Sequence, residues 1–182
     1  MKTQRILLFL LIALILAVTS CRSRTDKSEG TVILSVSHFN GLPVSVSATN
    51  GPFQIDQITL SSFFKDPSVQ SPTGHTLEGI ELRNYEITYT RRDKGTRVPP
   101  PSVQSIFGLV PPQGTLDLFN LPFMTSDQIG NPPIHDLITM GRDSETGTTV
   151  ITLDVSLRFF GRTISGDDIA SEPSKFTIEV TP

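Results

Sequence analysis

The chain has 182 residues, 15 Lys and Arg against 18 Asp and Glu for a net charge of −3, one cysteine, three histidines and no tryptophan. A mildly acidic balance argues against nucleic-acid binding, whose affinity comes largely from neutralising phosphates. A single cysteine can form neither an internal disulfide nor a Cys-based zinc site.

The first twenty residues differ in kind from the rest. Lys2 and Arg5 give a basic start, an uncharged apolar run extends from Ile6 to Val18, and the small residues Thr19 and Ser20 lead to Cys21. This order describes a secretory signal peptide, and the run is shorter than the ~20 apolar residues that a bilayer span needs. Removing residues 1–20 takes away two basic residues and no acidic one, leaving 13 Lys and Arg against 18 Asp and Glu, a net −5.

The segment Val18-Thr19-Ser20-Cys21 resembles the lipobox of bacterial lipoproteins, with Val18 in the aliphatic slot. The resemblance implies diacylglycerol on the Cys21 thiol, cleavage just before it, and in many bacteria a further fatty acid, such as palmitate, on the freed amine. One acyl chain binds a membrane only marginally at about 0.8 kcal/mol per buried methylene, so two or three make the anchor nearly permanent. Arg22 stands where inner-membrane lipoproteins carry a retention Asp, which implies the outer membrane in a diderm host. The expected organisation is a signal peptide over 1–20, a lipidated flexible tether over 21–30, and one domain over 31–182.

From Thr31 the dominant signal is period two. Val32, Leu34 and Val36 alternate with Ile33, Ser35 and Ser37. Tyr85, Ile87 and Tyr89 share one face, with Asn84, Glu86, Thr88 and Thr90 on the other. Between Thr149 and Phe160, Ile151, Leu153, Val155, Leu157 and Phe159 oppose Thr152, Asp154, Ser156 and Arg158. Phe176, Ile178 and Val180 repeat the pattern near the end. Such alternation is what a strand with one buried and one wet face requires. Weaker strand candidates lie at Val44–Ala48, Ile55–Phe64, Ser105–Val110 and Thr115–Phe119, separated by Gly/Pro turns such as Asn50-Gly51-Pro52.

About seven to eight strands without a long 3.6-period stretch predict an all-β antiparallel sandwich. Thr149–Phe160 is expected at its centre, paired with Lys175–Thr181 through the acidic turn Ser165-Gly166-Asp167-Asp168. The prolines of Arg97–Pro101 predict an extended loop or sheet edge, since they cannot donate ladder hydrogen bonds. Phe123–Thr146 is long and mixed, with Ile134–Met140 a short helix or irregular strand. That stretch is either a seat of specificity or a crossover between sheets.

From about Glu81 onward the chain resembles a loose group of uncharacterised bacterial lipoproteins with an immunoglobulin-like or fibronectin-like domain. The residues that carry this are the strand from Leu82 to Asp93 and the run Leu157-Arg158-Phe159-Phe160-Gly161-Arg162. The resemblance implies an immunoglobulin-like sandwich and supplies no activity.

For chemistry the inventory is thin, and it yields no catalytic, cofactor or metal assignment. His38, His75 and His135 lie far apart in sequence, whereas zinc sites often use short spacings. His75 with Glu78, or His135 with Asp136, supplies half a site at best. Asp167 and Asp168, with Asp143 and Glu145, could offer calcium oxygens, but no D-x-[DN]-x-[DN]-G pattern is present. No G-x-S-x-G elbow exists. The phenylalanines read mostly as core, although one member of each pair Phe63-Phe64 and Phe159-Phe160 must face outward.

The function expected is therefore that of an exported, non-enzymatic binding or accessory domain. Its partners would be a membrane, through lipid on Cys21, and an envelope protein or glycan, with no nucleic acid. The alternatives are an envelope hydrolase, metal-assisted or not, using loop carboxylates and a histidine, and a structural spacer in an envelope assembly.

Overall fold

A computed structural model describes residues 30–66, 68 and 76–182. The leader, Cys21, most of the tether and His75 lie outside the described residues.

The domain is an all-β sandwich, as the alternation predicts. The strands are β1 (Val32–Asn40), β2 (Ser45–Ser47), β3 (Phe53–Phe64), β4 (Ile80–Arg91), β5 (Ser102–Val110), β6 (Thr115–Met124), β7 (Ile151–Thr163), β8 (Asp168–Ala170) and β9 (Ser174–Thr181). The smaller sheet runs β1-β3-β6, and the larger runs β2-β9-β7-β4-β5, with β8 also on β7. Every ladder is antiparallel except the short β2–β9 pair, which is parallel.

β7 occupies the centre, as expected. β4 covers one side of it; on the other side β9 pairs along Ile151–Leu157 and β8 along Phe160–Arg162. Its inward residues Ile151, Leu153, Val155, Leu157 and Phe159 are wholly buried, each such side chain contributing about 1.5–3 kcal/mol. The predicted turn after β7 does lead to β9, but β8 forms on the way.

Aromatic contacts join the two sheets. Phe123 of β6 meets Phe176 of β9 edge-on at 5.3 Å, and Phe39 of β1 lies 5.9 Å from Phe176. Tyr85 stacks on its cross-strand neighbour Phe159 at 5.7 Å. The Tyr85 hydroxyl then donates across the sandwich to the Pro122 carbonyl at 2.8 Å, and Tyr89 donates to the Phe123 carbonyl. Burial pushes the Tyr85 hydroxyl up to about 12 and raises that of Tyr89 too, so both remain neutral donors.

Several expectations need correction. Val44–Ala48 is strand only over Ser45–Ser47, followed by a 3₁₀ turn at Ala48–Asn50. β6 continues past Phe119 to Met124; Asn120 takes a left-handed φ of 52° there, which lets the strand pass a local irregularity. The stretch after it is no structureless loop. It folds as α1 (Ser126–Ile129) and α2 (Ile134–Met140), burying Ile129, Ile134 and Leu137, and so carries the chain from the smaller sheet to the larger. Thr125 and Gln128 form a reciprocal capping box at the start of α1. Gly141 ends α2 with φ 67° and donates its N–H to the Leu137 carbonyl.

At Gly161 the β4 backbone approaches so closely that an added Cβ would lie 2.6 Å from the Glu81 carbonyl oxygen. Gly161→Ala is expected to cost about 1–3 kcal/mol through forced backbone shifts. Phe119→Ala, on an exposed side chain, should change stability by no more than ~0.5 kcal/mol. Thermal unfolding of the two variants checks this; equal melting temperatures would contradict the close approach.

Candidate functional site: an arginine groove on the larger sheet

Alternation that buries one face of β7 and β4 presents the other to solvent. At one end of that face lies a groove of about 320 Å³, lined by Arg83, Asn84, Arg158, Phe160, Asp168 and Ile169 among others. Its size is at the lower end of the ~300–1,000 Å³ typical of small-ligand sites. A ladder irregularity between Leu82 and Asn84 makes the geometry: Asn84 pairs with Phe160, and the extra residue Arg83 is turned outward beside it. β8 forms the wall, with Ala170 opposite Phe160 and Asp168 opposite Arg162.

The two arginines differ in how they are held. Arg158 donates its Nε–H to the Ser171 carbonyl at 3.1 Å, and its guanidinium carbon sits 5.3 Å from the Phe160 ring centroid. Ring and carbonyl together fix the guanidinium plane. Arg83 is exposed and makes no ion pair or hydrogen bond among the described residues. Arg158 makes no ion pair among them either, although Glu86 lies opposite it in the ladder. Arg162 at the rim is tied to the Gly166 carbonyl at 2.7 Å and lies 3.9 Å from Asp168. The arrangement supplies fork-shaped donors for a carboxylate or phosphate, with Phe160 and Ala170 as apolar flanks.

A second charged cluster is structural. Arg91, 2% exposed in its side chain, grips Asp93 through Nε at 2.5 Å and Nη2 at 2.6 Å, and reaches Asp143 at 3.1 Å. Asp143, fully buried, also accepts from the Thr146 hydroxyl and N–H. Glu145 lies 3.8 Å from Arg91 and accepts from the N–H groups of Thr96 and Arg97. The clasp thereby ties the proline-rich loop after β4 to the loop before β7. Burial opposes ionisation of Asp143, but Thr146 and Arg91 outweigh it and hold its carboxyl below the usual value. Burial likewise opposes ionisation of Asp93, and Arg91 with the Gly95 N–H overrides it. Hydrogen bonds from Thr96 and Arg97 lower Glu145.

The residues singled out in sequence do not converge. Asp143 and Glu145 belong to the Arg91 clasp, whereas Asp167 and Asp168 follow the far end of β7, about 40 Å away at ~3.3 Å per strand residue. The four carboxylates weighed as calcium oxygens therefore do not gather. Asp136 is buried and accepts from the Ser144 hydroxyl, while its neighbour His135 is exposed. His38 is exposed on β1, and Glu78 accepts from the Thr31 hydroxyl. Cys21 and His75 lie outside the described residues. Among the described residues no three His, Cys, Asp or Glu side chains gather as metal ligands, and no helix is long and apolar enough to cross a membrane.

The phenylalanines divide. Phe53, Phe123, Phe159 and Phe176 are core and Phe39 and Phe64 pack partly buried against it, as expected; Phe63 and Phe160 are the outward members of their pairs, and Phe107 and Phe119 are exposed besides. Arg83, Arg158 and Phe160 were not recognised as a site from sequence. The available signal was the rule that Phe160 must face opposite to Phe159, two steps along from the outward Arg158. No family model, curated protein or solved structure matches this chain.

Removing Arg91 would strand a buried carboxylate. Arg91→Ala should cost about 3 kcal/mol, the low end of the range because Asp93 and Glu145 still reach water. Lowered carboxyl values in the folded state mean that the clasp stabilises fully above the ordinary values of 3.8 and 4.5, and that this is lost as pH falls below them. Urea unfolding from pH 7 to pH 3 should show a steeper acid loss for the wild type than for an Arg91→Met, Asp143→Asn variant. Parallel curves would contradict the clasp.

Proposed function

We propose that the chain is an exported lipoprotein, held at the bacterial envelope by lipid on Cys21, whose sandwich is a non-enzymatic binding domain. The observation that supports it best is the pair of arginines without carboxylate partners, Arg83 and Arg158, beside Phe160 in an open groove. On the same sheet face Arg92, by contrast, pairs with Asp154 at 3.3 Å, and Asp154 accepts from the Thr177 hydroxyl at 2.6 Å.

The groove suits one carboxylated unit of an envelope glycan. Its carboxylate meets the guanidinium donors, and its less polar ring face lies along Phe160 and Ala170. The outer membrane is the location favoured by Arg22 after Cys21. The resemblance to immunoglobulin-like lipoproteins stands with this proposal.

Two measurements test it. Mass spectrometry of the mature chain is expected to show Cys21 at the N-terminus with acyl groups; an intact Met1 with a free thiol would sink the anchor. Titration of the full chain with oligoglucuronate is expected to saturate, and Arg83→Ala with Arg158→Ala to weaken binding at least ~10-fold, as lost hydrogen bonds to a charged group imply. Absence of saturable binding, or equal binding by the double variant, would refute the groove.

A further inference from the structure

β5 is a free edge of the larger sheet. β4 pairs with one side of it, and no other described strand pairs with it. Its nine residues, Ser-Val-Gln-Ser-Ile-Phe-Gly-Leu-Val, include no charge and no proline. Val103, Phe107 and Leu109 face outward at 63%, 89% and 49% exposure, with Ser105 between the first two.

The other edges are blunted. β2 has three residues, β1 shifts register between Val36 and His38, and β6 carries Asp117, the left-handed Asn120 and Pro122. Shortness, bulges, charges and prolines are the means by which sheets avoid pairing with other chains. β5's own in-and-out alternation runs unbroken from Ser102 to Val110, past the irregularity in its ladder with β4.

We propose that β5 pairs antiparallel with β5 of a second copy of this chain, joining two larger sheets across a two-fold axis at Ser105. About that axis Val103 of each copy falls opposite Phe107 of the other, a β-branched–aromatic pair formed twice. The strand carries no charge, so self-pairing sets no like charges opposite one another. A two-fold contact requires a surface complementary to itself, and the order Val103, Ser105, Phe107 provides one. The two Arg83 side chains would then share one continuous face, their strands three spacings or about 14 Å apart. Only that last consequence involves the groove; the pairing does not depend on it.

Paired Ser105 residues place their Cα atoms about 4.5–5.5 Å apart, within disulfide range. The full chain carrying Cys21→Ser, so that no other thiol is present, receives Ser105→Cys or, as control on the smaller sheet, Asp117→Cys. Under mild oxidation Ser105→Cys is expected to form covalent dimers at least ~10-fold faster than the control, because pairing raises the local thiol concentration. Adding Phe107→Lys should abolish the excess while leaving the melting temperature unchanged. Equal rates for the two cysteine variants would overturn the proposal. Dimers that persist with Phe107→Lys would overturn it as well.

Discussion

The structure depends on the inner face of β7. Ile151, Leu153, Val155, Leu157 and Phe159 are all buried without residual exposure, between β4 on one side and β9 with β8 on the other. Because side chains alternate strictly along a strand, burying these five fixes the direction of every residue between and beyond them. Arg158, Phe160 and Arg162 face solvent for the same reason that Leu157, Phe159 and Gly161 do not. The groove is thus the reverse side of the core. A slip of one residue would bury Arg158 and expose Phe159, so the cost of misplacing the core also protects the geometry of the site.

A sandwich has two open ends and lateral seams, and polar groups close them here. Tyr85 and Tyr89 carry their hydroxyls from the larger sheet to the carbonyls of Pro122 and Phe123 in the smaller. Gln128, 2% exposed, accepts from Tyr89 and from the Thr125 N–H, and donates to the Pro100 carbonyl at 2.6 Å. The proline run after β4, which has few N–H groups to offer, is therefore held through its carbonyl. The Arg91 clasp secures the next stretch of that loop against the segment leading into β7. Buried ion pairs are weak evidence of net stability; here the clasp sets which loops lie together.

What was legible in the sequence followed from range. β4, β7 and β9 show uninterrupted alternation, and the central place of β7 could be read from its length and five apolar steps. β6 beyond Phe119 was hidden because the alternation slips at Asn120 and Pro122 offers no ladder N–H, although a left-handed asparagine can carry a strand past an irregularity. The parallel β2–β9 pair joins residues more than 130 positions apart, beyond any local pattern. The clasp links Arg91 to Asp143 across 52 positions, so Asp143 and Glu145 looked like free oxygens. The groove needed β8 as its wall, and three residues after an acidic turn give no distinct signal. Arg158 and Phe160 were both visible on a recognised strand, but only the ladder with β4 sets Arg83 beside them.

The outer face of the larger sheet separates two uses of charge. Around Asp154, the partners Arg92 and Thr177 come from the adjoining strands and close a small network. Toward β8, Arg162 lies 3.9 Å from Asp168, but Arg83 and Arg158 have no ion pair among the described residues, and Arg158 is instead oriented by a ring and a backbone carbonyl. A cation neutralised by a neighbour has little left to offer a ligand, since the partner must first be displaced. A cation held by neutral groups keeps its charge available while its rotamer freedom is already reduced, which lowers the entropic cost of binding. That difference in neighbours, more than the number of arginines, distinguishes the groove from the rest of the sheet.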